Sequence, residues 1–176
     1  MQHLLYGDFG SAAHFAHDSP TQREMCGTAA HFALAARIPL HRAIPIVEPS
    51  VDQHLTPAQM SDLGERLSPL RDEGIMVLGS GNVVHNLTLT DWRNMKGTEA
   101  ADSFSDTVRD LVLSRDDETL VNYQKLDHAN YAAPTPDHFA PPLYILDASQ
   151  GDQATVFNDV RNLGSMSMTS FAFGLE

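Results

Sequence analysis

The stretch TPAQMSDLGERLSPLRDEGIMVLGS, residues 56–80, decides the fold prediction because it joins a capped helix to a buried strand. Thr56 and Gln59 fit a capping box at the start of the helix, and Gly74 marks its end. Four apolar residues recur at spacings of three and four, which gives the helix one apolar face: Met60, Leu63, Leu67 and Leu70. The run IMVLGS, residues 75–80, then has the composition of a buried strand.

A second apolar run, AIPIVEPS at residues 43–50, precedes this helix and predicts another strand. Strand, helix and strand within about 35 residues are typical of a βαβ unit, in which the two strands run parallel. Residues 19–37 predict a further helix that opens with Pro20. We therefore predict an α/β fold with a mostly parallel central sheet covered by helices.

The rest of the chain predicts helices first and strands last. Residues 99–116 read as an amphipathic helix and residues 117–126 as a short one. A helix within 133–149 must be bent or delayed by the prolines at 141 and 142. Residues 154–159 and 165–174 alternate like strands, so the sheet is expected to close with antiparallel strands.

Length, net charge and cysteine count limit the classes of partner and the location that the sequence predicts. The chain of 176 residues favours one domain, over 1–176, and no apolar run approaches the length that spans a bilayer. A net charge of -12 argues against nucleic acid and against an anionic membrane surface. The single cysteine excludes an intramolecular disulfide and, with no signal-peptide pattern at the start, predicts a cytoplasmic protein.

His85 is the leading candidate for chemistry. It follows the turn Gly79-Ser80-Gly81 and Asn82, at the carboxyl end of the predicted strand 75–80, where ligands bind in parallel α/β sheets. An imidazole can serve there as acid, base or metal ligand. The alternative is a histidine that satisfies a loop hydrogen bond.

Other histidines are weaker candidates. His138 stands in PTPDHFAPP, where its alternative is a helix-start residue beside a capping Asp137, and His128 stands in LDHANY. His14 and His17 share a face only if their segment is helical. Spacing alone shows no complete metal-binding motif.

The ordered motifs RDEGIMVLGSGNVVHNL, APTPDHFAPPLYIL and GSMSMTSFAFG, at 71–87, 133–146 and 164–174, resemble the class III extradiol ring-cleavage dioxygenases. Within that family the chain is similar to the DOPA 4,5-dioxygenase branch. The resemblance divides the chain into a dioxygenase-like region at 44–174 and a divergent leader at 1–43.

The resemblance implies a mononuclear non-heme Fe(II) centre, or zinc in some members, and a catechol-type small molecule that is opened by O₂. It places His85 and His138 at the metal, with His85 also as acid or base. It suggests substrate contacts for Gly79, Ser80, Gly81, Asn82 and His128. This predicts that the His85 and His138 rings meet at one crevice, about 3–5 Å apart, the spacing of nitrogens that share an ion.

The resemblance also implies two further histidines in the amino-terminal half of the family, and neither is recognisable here. The family's first strand is not recognisable either, which predicts an unpaired sheet edge and allows a homodimer. Either His14 or His17 substitutes, or a partner chain completes the site, or the protein is inactive. The rival functions are a non-catalytic binding or assembly module, a truncated product, and a metal-dependent hydrolase.

Overall fold

The computed structural model describes residues 4–7, 32–36, 46–52 and 54–175. Within them six strands form one mixed sheet in the order β3-β2-β4-β1-β9-β6. Its strands are β1 (Leu4–Gly7), β2 (Phe32–Ala36), β3 (Ile46–Val47), β4 (Ile75–Ser80), β6 (Ala154–Asn158) and β9 (Ser170–Phe173). A smaller sheet in the order β5-β8-β7 consists of β5 (Val84–His85), β7 (Arg161–Asn162) and β8 (Met166–Ser167).

The prediction of a mostly parallel sheet is wrong for these strands. Only β1 and β4 pair in parallel, whereas β1–β9, β2–β3, β2–β4 and β6–β9 are antiparallel. The predicted βαβ unit has the right strand direction, because β2 runs antiparallel to both β3 and β4. The two strands are not neighbours, however, since β2 lies between them.

Two further corrections concern the amino-terminal third of the chain. Residues 32–36 belong to strand β2, not to the predicted helix over 19–37, whose remaining residues lie outside the described ones. The first strand is not missing, because β1 lies between β4 and β9 inside the sheet. The predicted unpaired edge at that place is therefore absent among the described strands.

The helices from residue 56 onward follow the predictions, except for the short helix at 129–132, which was not predicted. They are α1 (Pro57–Leu67), α2 (Pro69–Asp72), α3 (Glu99–Ser114), α4 (Asp117–Val121), α5 (Ala129–Ala132) and α6 (Ala140–Ala148). The capping box of Thr56 and Gln59 is formed, and Pro69 begins the separate short helix α2. The proline pair sits in the first turn of α6 and delays its start to Ala140.

Helix α6 positions the later site because it packs on β4, on β1 and on α1. The approach of α1 is so close that a Cβ on Gly64 would collide with the Tyr144 backbone. The core around these elements holds fully buried aromatic side chains: Phe104, Tyr123, Phe139, Tyr144, Phe171 and Phe173. This packing fixes the start of α6 against the end of β4.

Candidate functional site

His85 is held by backbone pairing with strand β8 and the residue that precedes it. It pairs with Met166 across β5 and β8, and the next amide, Asn86 N–H, donates to the Ser165 carbonyl at 3.1 Å. The Ser165 hydroxyl donates back to the Asn86 carbonyl at 2.7 Å. Val84 and Asn86 are buried, whereas His85 is half-buried. The residue is therefore partly exposed while its backbone is held in place.

His138 lies just before Phe139, the N-cap of α6, and contacts of its carbonyl and of Phe139 hold its backbone in place. Its carbonyl accepts the Asn82 N–H at 3.0 Å, which ties it to the loop after β4. The following residue, Phe139, is buried and stacks on Tyr123 with ring centroids 4.0 Å apart. Phe139 therefore anchors the residue that presents the second imidazole.

The two imidazoles meet. The His85 and His138 ring centroids lie 3.6 Å apart with 22° between the ring planes, so the rings are stacked. They are 53 residues apart in the sequence, and the predicted meeting of the two rings is confirmed. Their roles as metal ligands, and the role of His85 as acid or base, stay predictions.

The predicted glycine turn has a visible packing role. A Cβ on Gly81 would collide with the His138 carbonyl oxygen, and a Cβ on Gly79 would lie 2.9 Å from Ile145 Cγ1. The absence of side chains thus lets the strand end approach α6 and the His138 backbone. Ser80, between them, is half-buried. Substrate contact by these three residues stays a prediction.

Asn82 joins three parts of the site. Its side-chain amide donates to the Ser167 carbonyl at 3.1 Å and approaches Met168 Sδ at 3.5 Å, while its backbone N–H binds His138. Because the side chain is almost completely buried, its first function is to hold the β4 loop against β8. A hydrogen bond to substrate stays a prediction for this residue.

The environment of His128 differs from that of the stacked pair His85 and His138. It is exposed, has a left-handed backbone with φ of 64°, and its carbonyl begins helix α5. Helix α5 touches the site through Tyr131, whose carbonyl accepts the Asn86 side-chain amide at 2.7 Å. His128 is thus on the element beside His85, and its proposed contact with substrate stays a prediction.

A carboxylate accompanies the imidazoles. Asp137 Oδ2 lies 3.8 Å from His138 Nε2, and Asp137 Oδ1 is buried without a hydrogen bond from the described residues. The alternative for His138 made Asp137 a helix cap, but α6 begins three residues later with Phe139 as its N-cap. Burial, reinforced by the Asp137 charge, raises the pKa of Tyr123 above its ordinary value, so this phenol stays neutral near the site.

Within the described ranges no group of three histidine, cysteine, aspartate or glutamate side chains is arranged to hold a metal ion. The two imidazoles and the nearby carboxylate are donors of the right chemistry for iron or zinc, but they do not by themselves form a closed set. His14 and His17, the suggested substitutes, lie outside the described residues.

The mixed sheet, the strand-end glycines and the stacked imidazoles define an α/β protein with a histidine site at the end of a central strand. Residues 27–174 match the family model described as the catalytic LigB subunit of aromatic ring-opening dioxygenase. The chain belongs to this family. The match begins ahead of residue 44, from which the sequence motifs carry the resemblance.

The chain is similar to proteins named 4,5-DOPA dioxygenase extradiol. It is 36% identical to the one from Escherichia coli over 74% of this chain and 50% of that protein. It is 29% identical to the one from Beta vulgaris, over 74% and 49%. The chain therefore spans about half the length of the curated relatives it matches.

A solved structure shares the fold. The crystal structure of an uncharacterized protein from Escherichia coli K12 superimposes with a TM-score of 0.71 at 27% identity, covering 98% of this chain and 81% of that one. Among the residues described for this chain, no helix combines the length and apolar character needed to cross a membrane.

Proposed function

We propose that the chain is an extradiol ring-cleaving dioxygenase that opens a catechol-type aromatic with O₂, through a single non-heme metal held in part by His85 and His138. The observation that carries the proposal is the stacking of these rings at 3.6 Å, at the end of a central strand, in a chain of this family. The names of the relatives make a DOPA-like catechol the first substrate to test.

The donor chemistry fits a metal in part. Imidazole nitrogens bind iron and zinc, and metal–nitrogen distances of about 2.1 Å separate two tetrahedral ligand atoms by about 3.4 Å. The 3.6 Å separation joins the ring centroids and not the nitrogens, and it brings the two imidazoles close enough for one ion to reach both. Nearly parallel rings have nearly parallel lone pairs, however, so sharing one ion requires the rings to tilt apart.

The remaining ligands must come from elsewhere. Asp137 is the nearest carboxylate to His138, and its buried Oδ1 has a lone pair that no described donor uses. A third donor comes from the chain outside the described residues, such as His14 or His17, or from a partner chain. Loss of either source should prevent tight binding, because metal affinity depends on the assembled set.

A metal held by His85 and His138, Fe(II) or zinc, would supply Lewis acidity toward the catechol oxygens, and Fe(II) would also pass electrons from the catechol to O₂. The protein residues supply position and proton transfer. His85 is half-buried on a fixed backbone, so when its basic nitrogen is not bound to the metal it can accept a proton from a catechol hydroxyl and return it during ring opening. Gly81 and Asn82 form the backbone that adjoins His138. A cytoplasmic location would keep Fe(II) reduced.

The test is anaerobic reconstitution with Fe(II), followed by DOPA or protocatechuate in air, with O₂ uptake and a ring-opened product as readouts. His85→Gln and His138→Gln should each abolish product formation. His54→Gln is the matched control, since His54 is exposed and its backbone N–H, not its ring, bonds Asp52. Wild-type protein that takes up no stoichiometric Fe(II), and leaves both catechols intact, would refute the proposal.

A second candidate is the non-catalytic assembly module, with a second copy of this chain as the partner. It is favoured by four exposed apolar side chains in the loop after His85: Leu87, Leu89, Trp92 and Met95. Backbone bonds from Asp91 to Leu163 and from Gly164 to Lys96 hold this loop in place. Exposed Arg93 and Lys96 beside it complement the acidic surface of another copy.

The oligomeric state tests this alternative. Sedimentation should give a dimer for the wild type and a monomer for Trp92→Ser, whereas Phe157→Ser, on the edge strand β6, should leave the dimer intact. A wild-type monomer at high concentration excludes the self-assembly function.

A further inference from the structure

Three hydroxyl groups are enclosed together in the core, between helix α3 and the segment that contains strand β8. Ser105 Oγ of α3 lies 2.9 Å from Ser167 Oγ of β8 and 3.2 Å from Thr169 Oγ1. Ser167 Oγ and Thr169 Oγ1 are 2.6 Å apart. All three residues are at most 1% exposed, so each hydroxyl depends on the others for hydrogen bonds.

One hydrogen bond of the hydroxyl cluster has a fixed direction, the bond from Thr169 to Asp159. Thr169 Oγ1 donates to Asp159 Oδ1 at 2.9 Å, since a carboxylate only accepts. Its oxygen is then left to accept from the serines, while Ser167 Oγ also accepts the Thr169 N–H at 3.3 Å. The carboxylate of Asp159 therefore fixes Thr169 as the donor at this end of the cluster, whereas either serine can donate in the Ser105–Ser167 contact.

Asp159 is itself clamped. Arg161 and Arg109 both bond it, Arg109 at 3.1 Å, and Asp106 accepts from both guanidinium groups at 2.6 Å and 2.7 Å. Burial opposes ionisation of Asp159, but the Thr169 hydrogen bond and the two arginines outweigh it and lower its pKa. The network thus ends in a charge that stays ionised at neutral pH.

The network connects to the backbones of His85 and His138 through the small sheet. Strand β8 is its central strand: Arg161 of β7 pairs with Ser167, and His85 of β5 pairs with Met166. The Ser167 carbonyl also accepts from Asn82, whose N–H binds the His138 carbonyl. Strands of two residues are too short to hold their geometry alone, so their anchoring falls to these side chains.

We propose that Ser105, Ser167, Thr169 and Asp159 form a positioning network that sets the stacking of His85 on His138. The inference rests on the proposed function in that the pair it positions is the proposed metal and proton-transfer site. These four are positioning residues, because they act through β8 and Asn82 and do not themselves touch the rings in the described contacts.

The test reads the rings directly, without metal or turnover. Stacked imidazoles shift each other's ring-proton NMR signals upfield, and single His→Gln variants assign those signals. Thr169→Val removes the hydroxyl at nearly constant volume and should abolish the shifts. Thr169→Ser keeps the hydroxyl and should restore them. Thr107→Val, on the exposed face of α3, is the matched control and should change nothing, since Thr107 only bonds the Ser103 carbonyl.

A second readout is Co(II) affinity, which should fall by about 10–100-fold in Thr169→Val and recover in Thr169→Ser. If Thr169→Val does not fold, Asp159→Ala at the half-exposed end of the network takes its place, with the same expected loss of the ring shifts. Folded variants that keep wild-type ring shifts, or a wild type without shifted rings, overturn the inference. If the ring shifts depend on the Thr169 hydroxyl but the protein has no oxygenase activity, the proposed function is overturned and the positioning network is not.

Discussion

Replacement of Gly81 by alanine is the sharpest perturbation of the site that the structure offers. The new Cβ would press on the His138 carbonyl oxygen well inside 3.0 Å, the limit of real Cβ contacts, and would lie 3.2 Å from Pro141 Cγ. Both neighbours belong to the start of α6, which is packed on β4 and α1. The His138 backbone must retreat by on the order of 1 Å, since close-packed interiors have no spare room.

The magnitude follows from that displacement. The hydrogen bond from Asn82 N–H to the His138 carbonyl is lost at about 1 kcal/mol, and overpacking adds about 1–3 kcal/mol. We expect the free energy of unfolding to fall by about 2–4 kcal/mol in a urea titration. A metal site tolerates only about 0.2 Å, so Co(II) affinity should fall by at least about 10–100-fold.

Gly151→Ala is the matched control. Gly151 has φ of 84° with nothing within 4 Å of the added Cβ, so alanine there strains the backbone without touching the site. It should cost about 1–2 kcal/mol and leave Co(II) affinity unchanged. A Gly81→Ala protein with wild-type metal affinity and a stability loss below about 0.5 kcal/mol would refute the steric reasoning.

Three further predictions concern stability. Burial raises the pKa of Asp147 despite its hydrogen bond from Ser61. The contribution of Asp147 to folding stability is therefore fully present below the unfolded pKa and is lost as pH rises. Asp147→Asn should accordingly gain in melting temperature over wild type from pH 3.5 to pH 7. Asp159 has a lowered pKa and the opposite sign, so the advantage of wild type over Asp159→Asn in melting temperature should be present at pH 6 and vanish on acidification toward pH 2. Thr56→Ala removes the capping box of α1 and should cost about 1 kcal/mol in urea unfolding, with Co(II) affinity unchanged as the check that α1 capping is remote from the site. Equal pH profiles for variant and wild type, or a neutral Thr56→Ala, would contradict the respective prediction.

The helices beyond residue 56 were predictable because their ends are determined by local chemistry. Thr56 caps α1, Pro69 interrupts the following turn, and the prolines of α6 are tolerated only in its first turn. Each of these signals acts within four residues of where it is read. Tertiary structure has little opportunity to override them.

The sheet order was not predictable in the same way. Residues 32–36 are rich in alanine and favour a helix by propensity, yet they pair with β4 over five positions, from Phe32 opposite Gly79 to Ala36 opposite Ile75. Such pairing depends on a partner about 40 residues away. The insertion of β2 between β3 and β4, and with it the mixed character of the sheet, has no local signal.

The site falls between these cases. The pairing of His85 with His138 followed from the order of motifs and not from their spacing, but the network beneath them could be inferred from a physical rule. Ser105 interrupts the buried apolar face of α3, and the hydroxyls of 165, 167 and 169 alternate along a buried strand segment. A buried hydroxyl needs a partner, so two polar interruptions on separate core elements favour contact with each other. That rule predicts contact between α3 and β8. This contact supports the small sheet to which His85 belongs.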